Sequence, residues 1–255
     1  MAADRKLSVI VPLWNEGRNV TALVDMIAPC RLVGDSALEL VLVNNGSADD
    51  TGALVDAAAA QHAWIRAVHL PQNLNYGGGI YEGARYASHA HLGMLPGDLQ
   101  YSAEDLVKVW DAYCAAPTHP LLAKGWRTTR LDPLSTRIVS AVYSRLANAI
   151  LGTHVRDING LPKIFPRALL DALPAERMVT FVFDAQLLFT ATRLGWPIHE
   201  TEVTFHARRA GVSSWSGKRL RVYARSFMQL VRVSRLGGAP GVPMRREGQH
   251  GGAPR

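Results

Sequence analysis

The sequence predicts an α/β protein: a mostly parallel sheet flanked by helices. Three observations carry that expectation. Short apolar runs alternate with helical segments through the front half of the chain, the order that βαβ units produce. Two of those runs, LSVIVPLWNEGRNV and LELVLVNNGSADDT, end in Asn, Glu or Gly and pass directly into a helix. A third segment, LGMLPGDLQYSAEDL over Leu92–Leu106, stops at Pro-Gly and leaves Asp98 and Gln100 at its tip, where an open α/β sheet places its ligands.

The elements follow in order. The first strand covers Leu7–Val11 and the first helix Asn19–Met26. A second strand, Leu38–Val43, leads to a helix over Thr51–Gln61, with Asp50-Thr51 as its N-cap. A third strand, Ile65–Leu70, precedes a helix over Gly79–His89. The fourth strand, His91–Leu95, precedes a helix over Ala103–Ala115. Ser102 caps that helix, and Glu104 and Asp105 suit the positive end of its dipole. The second half is less regular. It offers a strand at Leu121–Gly125 and a long amphipathic helix at Leu134–Leu151, where Ile138, Val142, Leu146 and Ile150 recur every fourth residue. A helix over Phe181–Leu194, a strand over Thr201–Phe205 and a basic helix over Gly217–Leu236 complete it. The domain organisation is therefore one α/β unit over 1–216, a basic amphipathic helix over 217–236, and a Gly/Pro/Arg-rich tail over 237–255 expected to be disordered.

Composition narrows the class. The chain has 255 residues, 48% of them hydrophobic, and no apolar run near the ~18 residues of a membrane span. MAADRKLSVIVP enters a strand almost at once and lacks the pattern of a secretory signal, so a cytoplasmic protein is expected. Cys30 and Cys114 are far apart and give neither metal spacing nor a disulfide framework, which suits a reducing compartment. The net charge of +7 conceals an asymmetry. Residues 1–202 hold 17 basic and 20 acidic side chains, whereas residues 203–255 hold 11 basic and one acidic. Such a segregated charge points to a local anionic partner. Nucleic acid is not expected, because the basic region has few aromatics for stacking and no reader motif.

Several motifs carry candidate chemistry. Pro12-Leu13-Trp14-Asn15-Glu16 reads as a nucleotide-contacting strand end or as a plain strand-to-helix turn. Asn44-Asn45-Gly46-Ser47 reads as amide readout of a base or ribose, or as a simple βα loop. The glycines of QNLNYGGGIYEGARYA allow either close approach to an anion at a helix start or tight packing against a strand. Asp98, with the amide oxygen of Gln100, offers hard oxygen ligands for Mg²⁺ or Mn²⁺, or an Asx-type turn. HARRAGVSSW, followed by Lys218, suits phosphate binding or a solvated face. In the basic helix, Leu220, Tyr223, Phe227 and Val231 fall on one face, and Lys218, Arg221, Arg225 and Arg232 on another. That pattern fits an anionic membrane surface or packing against the domain.

Taken together and in this order, SVIVPLWNEGRNV, VLVNNGSADDT, NLNYGGG, GDLQYSAEDL and ARRAGVSSW resemble the family 2 glycosyltransferases with a GT-A (Rossmann-like) fold, nearest to the dolichol- and polyprenyl-phosphate sugar transferases. The resemblance covers about Leu7 to Lys218. It implies nucleotide contacts at Pro12, Leu13, Asn15, Glu16, Asn44 and Asn45, and a metal segment with Asp98 and Gln100 as ligands of Mg²⁺ or Mn²⁺. It also implies diphosphate or acceptor-phosphate contacts at Arg127, Arg137, Arg208, Ser213 and Lys218, and catalytic roles for Asp98 and Asp157. The sequence departs from the pattern in three places. Asn44-Asn45 replaces an acidic pair, Pro96 replaces the first acid of the metal segment, and Ser214 stands where Lys is common.

The reaction so implied is a single inverting displacement from a nucleotide-sugar donor. The acceptor is a polyprenyl phosphate, with the enzyme peripheral at the inner membrane face. Two alternatives stay open. One is a soluble enzyme acting on a hydroxyl acceptor, with Asp157 as general base and Asp184 as runner-up. The other is a nucleotide-sugar-binding protein without catalysis, motivated by Pro96 and the Asn pair.

Overall fold

The computed structural model describes residues 5–30, 37–131, 134–206 and 219–236. Among them, strands β1 (Lys6–Leu13), β2 (Ala37–Asn45), β3 (Ile65–Leu70), β4 (His91–Met94), β5 (Leu122–Arg130), β6 (Lys163–Pro166) and β7 (Ile198–Phe205) form one sheet in the order β3-β2-β1-β4-β6-β5-β7. The helices are α1 (Gly17–Ile27), α2 (Thr51–Gln61), α3 (Asn75–Tyr86), α4 (Ala103–Ala115), α5 (Leu134–Leu151), α6 (Ala168–Asp171), α7 (Val182–Arg193) and α8 (Arg219–Leu236).

β1 pairs in parallel with both β2 and β4, and β2 in parallel with β3. β6 runs antiparallel to β4 and β5, and β7 returns parallel to β5. Strands covered by helices on both faces read as continuous apolar runs. Accordingly Val9, Ile10 and Val11 of β1 and Leu40–Val43 of β2 are fully buried, each such side chain contributing roughly 1.5–3 kcal/mol. The strand order reverses beside β1, between β2 and β4. That is the switch point where an open α/β sheet opens a crevice at the C-terminal strand ends.

The expected front-half elements are present, with two adjustments. α3 begins at Asn75 rather than Gly79, because its glycines belong to the helix and serve packing. A Cβ on Gly83 would lie 2.5 Å from Val43 Cγ2, and one on Gly79 would lie 2.9 Å from Pro12 Cβ. Asp50 occupies the N-cap of α2 but makes no side-chain cap bond. Asp49 supplies it instead, accepting from the Thr51 amide at 3.1 Å. Ser102 and Asp105 form a reciprocal capping box on α4, as the sequence led us to expect for Ser102.

Two elements of the second half face differently from their sequence pattern. α5 spans the expected residues, yet Ile138, Val142 and Leu146 point outward, while Tyr143, Ser144, Ala147 and Leu151 are buried. α8 docks on α5 and α7 through Ser226, Leu230 and Val233, leaving Phe227 and Met228 exposed. β6 and α6 were not anticipated from sequence. No helix among the described residues is long and apolar enough to cross a membrane. The expectations for Arg208, Ser213, Lys218 and the 237–255 tail fall outside the described residues.

Candidate active site

The loops that follow β1 and β2 are stitched to each other. Asn15, at a φ of 54°, accepts the Ala48 amide on Oδ1 at 2.8 Å and donates its own amide to Ser47 Oγ at 3.0 Å. The Glu16 amide donates to Thr51 Oγ1 at 2.9 Å, and the Gly17 amide to Asp49 at 3.2 Å. Glu16 in turn holds Asn19 Nδ2 at 2.5 Å. Hydrogen bonds from Thr51 and Gly17 outweigh the effect of desolvation and hold the Asp49 carboxyl below its usual range. The result is a two-loop rim at the mouth of the crevice. Pro12 is half-buried on it, whereas the Leu13 side chain is wholly in the core, so Leu13 can meet a ligand only through its backbone.

The two asparagines of β2 differ. Asn44 Oδ1 accepts the Ser47 amide at 3.1 Å, and its Nδ2 lies 3.2 Å from His69 Nδ1. His69 itself bonds Asp56 at 2.8 Å. Asn45 is 2% exposed and uses both ends of its amide on the next loop: Oδ1 accepts the Leu74 amide and Nδ2 donates to the Asn75 carbonyl, each at 2.9 Å. It sets the position of the α3 entry. The start of α3 is capped as well, by Gly77 and Gly78 donating to the Val179 carbonyl at 2.7 and 3.4 Å. Close packing and this cap account for the glycine run.

The turn after β4 carries Asp98. Its Oδ1 accepts the Gln100 amide at 3.3 Å, and Leu99 adopts a φ of 59°. Gln100 is bonded twice to His206: its side-chain nitrogen donates to the His206 carbonyl at 3.0 Å, and the His206 amide donates to its carbonyl at 2.9 Å. The Asp98 turn is therefore tied to the point where the chain leaves β7 toward Arg208 and Ser213. Among the described residues no three His, Cys, Asp or Glu side chains cluster to hold a metal. One carboxylate and one amide oxygen nevertheless fit an ion that a diphosphate brings with it, since Mg²⁺ takes one or two carboxylates and completes its shell with phosphate and water oxygens.

A second charged group lies across the crevice. Arg127 on β5 grips Asp157 with Nε to Oδ2 at 2.6 Å and Nη2 to Oδ1 at 2.8 Å, and Nη2 also reaches Ser140 Oγ on α5 at 3.1 Å. The pair forms because two backbones approach closely: a Cβ on Gly160 would lie 2.1 Å from the Gly125 carbonyl oxygen, so only glycine fits. Burial alone would raise the Asp157 carboxyl, but the hydrogen bonds and charge of Arg127 outweigh it and hold Asp157 well below the usual carboxylate range. Arg137 is exposed on α5, three residues from Ser140 and so on a neighbouring part of its surface. Tyr101 joins the two sides. Its hydroxyl accepts the Leu161 amide at 3.3 Å and lies within the electrostatic reach of Arg127, Asp157 and Asp98.

Beneath this floor lie two lysines that sequence reasoning missed. Lys124 is fully buried and bonds Glu200 at 3.1 Å and the Gly125 carbonyl at 2.8 Å. Burial and the charge of Lys163 bring its ammonium down to about 8. Lys163, equally buried, bonds Asp184 at 2.8 Å and the Gly160 carbonyl at 3.0 Å. Asp184 also accepts from Asn159 Nδ2 at 3.0 Å. It is buried, at 2% exposure. The chain alternation gave no signal for these pairs, whose partners lie 76 and 21 residues apart (124 to 200, 163 to 184).

Comparison with known proteins places this geometry. A family model described as glycosyl transferase family 2 matches residues 8–173. Among curated relatives, the polyprenol monophosphomannose synthase of Mycolicibacterium smegmatis is 26% identical over 225 residues, covering 84% of this chain and 82% of that one. The dodecaprenyl-phosphate galacturonate synthase of Rhizobium johnstonii is 28% identical over 216 residues, covering 82% of this chain and 62% of that one, so this chain spans less than two thirds of the latter. Among solved structures, glucosyl-3-phosphoglycerate synthase from Mycobacterium tuberculosis, in complex with Mn²⁺, UDP and glucosyl-3-phosphoglycerate, superposes with a TM-score of 0.67 at 21% identity. The match covers 94% of this chain and 82% of that one. That likeness establishes the GT-A fold. With the family model spanning well over half of the sequence, from β1 through α6, the chain belongs to glycosyl transferase family 2.

Proposed function

We propose that this chain is an inverting glycosyltransferase that moves a sugar from a nucleoside-diphosphate donor to the phosphate of a polyprenyl phosphate. The observation that carries the choice of acceptor is the Arg127–Asp157 pair. A hydroxyl acceptor needs a general base with a proton affinity near the working pH. Asp157 has both oxygens engaged by Arg127 and a carboxyl held far below that range. A phosphate acceptor needs no base, because its oxygen is already anionic near neutral pH. The names of the curated relatives, which act on polyprenol and dodecaprenyl phosphates, support the same reading.

In this reading the acceptor oxygen attacks the anomeric carbon from the face opposite the leaving group. The new carbon–oxygen bond forms as the bond to the donor's phosphate oxygen breaks, and the nucleoside diphosphate departs with the electron pair. Asn15, Glu16 and Asn44, with the backbone of Pro12 and Leu13, receive the nucleoside, and Asn45 fixes the loop beside it. Arg127 and Arg137 receive the acceptor phosphate, which guanidinium groups bind through paired hydrogen bonds. Arg208, Ser213 and Lys218 serve the donor diphosphate. Mg²⁺ or Mn²⁺, held by Asp98 and Gln100, would neutralise charge on the leaving group.

The acceptor brings the enzyme to a lipid surface. Leu131, just before α5, and Leu134, Ile138, Val142 and Leu146 on α5 are exposed by 45–66%, and Arg137 and Arg145 are exposed on the same helix. On α8, Phe227, Met228, Arg225 and Arg232 are exposed. Apolar side chains flanked by arginines fit the headgroup region of an anionic bilayer, on the cytoplasmic side where such lipids and donors are found.

The experiment is transfer of labelled sugar from UDP- and GDP-sugars to polyprenyl phosphate in anionic vesicles, with flotation of the same mixture. A labelled lipid product, lost on adding EDTA, is expected, together with co-flotation that an Ile138→Asp/Val142→Asp variant loses while still binding donor. No lipid product from any donor contradicts the enzymatic reading, and a chain that stays unfloated contradicts the surface assignment.

A further inference from the structure

Packing accounts for the glycines that open α3 and leaves Tyr76, between Asn75 and Gly77, unexplained. Its ring packs against the core, and its hydroxyl oxygen is buried without a hydrogen-bond partner. A hydroxyl removed from water is costly unless it finds another partner, so an orphaned one in a native fold calls for a reason. The residue is not loosely placed. On one side the Asn75 carbonyl is held by Asn45 Nδ2 at 2.9 Å and the Asn75 amide by Asn73 Oδ1 at 2.7 Å; on the other the Gly77 amide is held by the Val179 carbonyl at 2.7 Å.

The surroundings of the hydroxyl come from three elements. Asp184 on α7, Tyr101 beside α4 and Asp98 in the turn after β4 all lie within its electrostatic reach. Tyr101 already accepts the Leu161 amide, and Asp184 is bonded by Lys163 and Asn159. Burial, with two carboxylates nearby, keeps the phenol protonated at any physiological pH. It is a donor held in place at the start of α3, within electrostatic reach of the acid expected to meet the donor's diphosphate.

We propose that Tyr76 reads the transferred sugar, its hydroxyl donating to a sugar hydroxyl oxygen once the donor lies against Asp98. This rests on the function proposed above and adds the group that recognises the carbohydrate. A phosphoryl oxygen is the poorer partner, since within reach of both Asp98 and Asp184 it would meet like charge. A sugar hydroxyl is neutral, accepts from Tyr76, and can pass its own proton into a hydrogen bond with a carboxylate. Sites built around such a bond discriminate strongly against substrates that lack it.

Tyr76→Phe removes only the oxygen. The unliganded variant is expected to melt at the same temperature as the parent or higher, because no native hydrogen bond is lost. Its affinity for UDP or GDP alone is expected to be unchanged. Its affinity for the sugar nucleotide that the parent binds, UDP-glucose or GDP-mannose being the first probes, is expected to fall about tenfold, or about 1.4 kcal/mol. That difference should vanish for the deoxy-sugar analogue lacking the hydroxyl in question. A lower melting temperature combined with undiminished sugar-nucleotide affinity would assign the hydroxyl a structural role and overturn the proposal. A parent chain that binds UDP or GDP while both proteins bind the sugar nucleotides equally overturns the Tyr76 assignment alone. A parent that binds no nucleoside diphosphate overturns the underlying function, and this inference with it.

Discussion

Lys124 and Asp157 are both buried, and burial disfavours the charged form of each, so their partners decide the outcome. Asp157 meets a bidentate guanidinium, so its charged form is the stable one. Lys124 meets a single carboxylate oxygen and the field of a second lysine, and it is the neutral form that gains. With its ammonium at about 8 in the fold and about 10.4 unfolded, the unfolded chain binds the extra proton between those values. Stability therefore rises with pH across that window. The downward shift of Lys163 acts in the same direction. Tyr101 and Tyr113 are shifted upward by burial and reverse the trend above about pH 10, where the unfolded chain loses phenolic protons first. Urea midpoints measured from about pH 8 to about pH 10 should climb, and should climb less in Lys124→Met. A midpoint that is flat or falling across that range in the parent would contradict the buried, weakly compensated lysine.

At the scale of elements, the position of α3 matters most, because Tyr76 sits in its first turn. Its C-terminal end is held by Arg167, only 7% exposed, which donates to the carbonyls of Ala84 at 2.6 Å, Ala87 at 2.7 Å and His89 at 3.2 Å. A cation there meets the negative end of the helix dipole and the carbonyls that the helix leaves open. Arg167→Met should cost about 3 kcal/mol and lower the melting temperature by on the order of 10 °C. Calorimetry finding a loss below about 1 kcal/mol would mean that the three carbonyls find other partners.

The same scale shows what the sequence made legible. β1 to β4 and their helices are local patterns, apolar runs closed by turn residues, and they sit close to where the periodicity puts them. β6 is four residues that follow Pro162, begin with a lysine and end at Pro166, a composition that reads as a turn. The distant Asp184, with the Gly160 carbonyl, makes burial of Lys163 tolerable. Asn45 shows the limit at the site itself. The resemblance marks the position, but the partners that occupy its amide are backbone atoms of Leu74 and Asn75, which no side-chain pattern encodes. Arg127 and Asp157 were each legible as members of a motif; that they neutralise one another became visible only when the Gly125–Gly160 contact brought β5 against the segment before β6.

Over the whole molecule, the sheet order brings the ends of β1, β2 and β4 to one rim, and β5 sets Arg127 on the opposite side. In the proposed function, donor and acceptor would then approach from two halves of one sheet, with Tyr101 within electrostatic reach of Asp98 on one side and of Arg127 and Asp157 on the other. The outward apolar row of α5 runs from this acceptor side, since Arg127 is bonded to Ser140 on the same helix. A lipid phosphate lying along α5 would reach Arg127 without leaving the surface that holds its chain. The basic residues of the sequence are concentrated after β7.

The central claim is that the site takes an acceptor already ionised, and competition between acceptors tests it most directly. Purified enzyme, its donor, and equimolar polyprenyl phosphate and polyprenol in the same vesicles should yield glycosylated phosphate alone. Sugar appearing on the alcohol, in an amount that Asp157→Asn abolishes, would contradict the account by making Asp157 a working base.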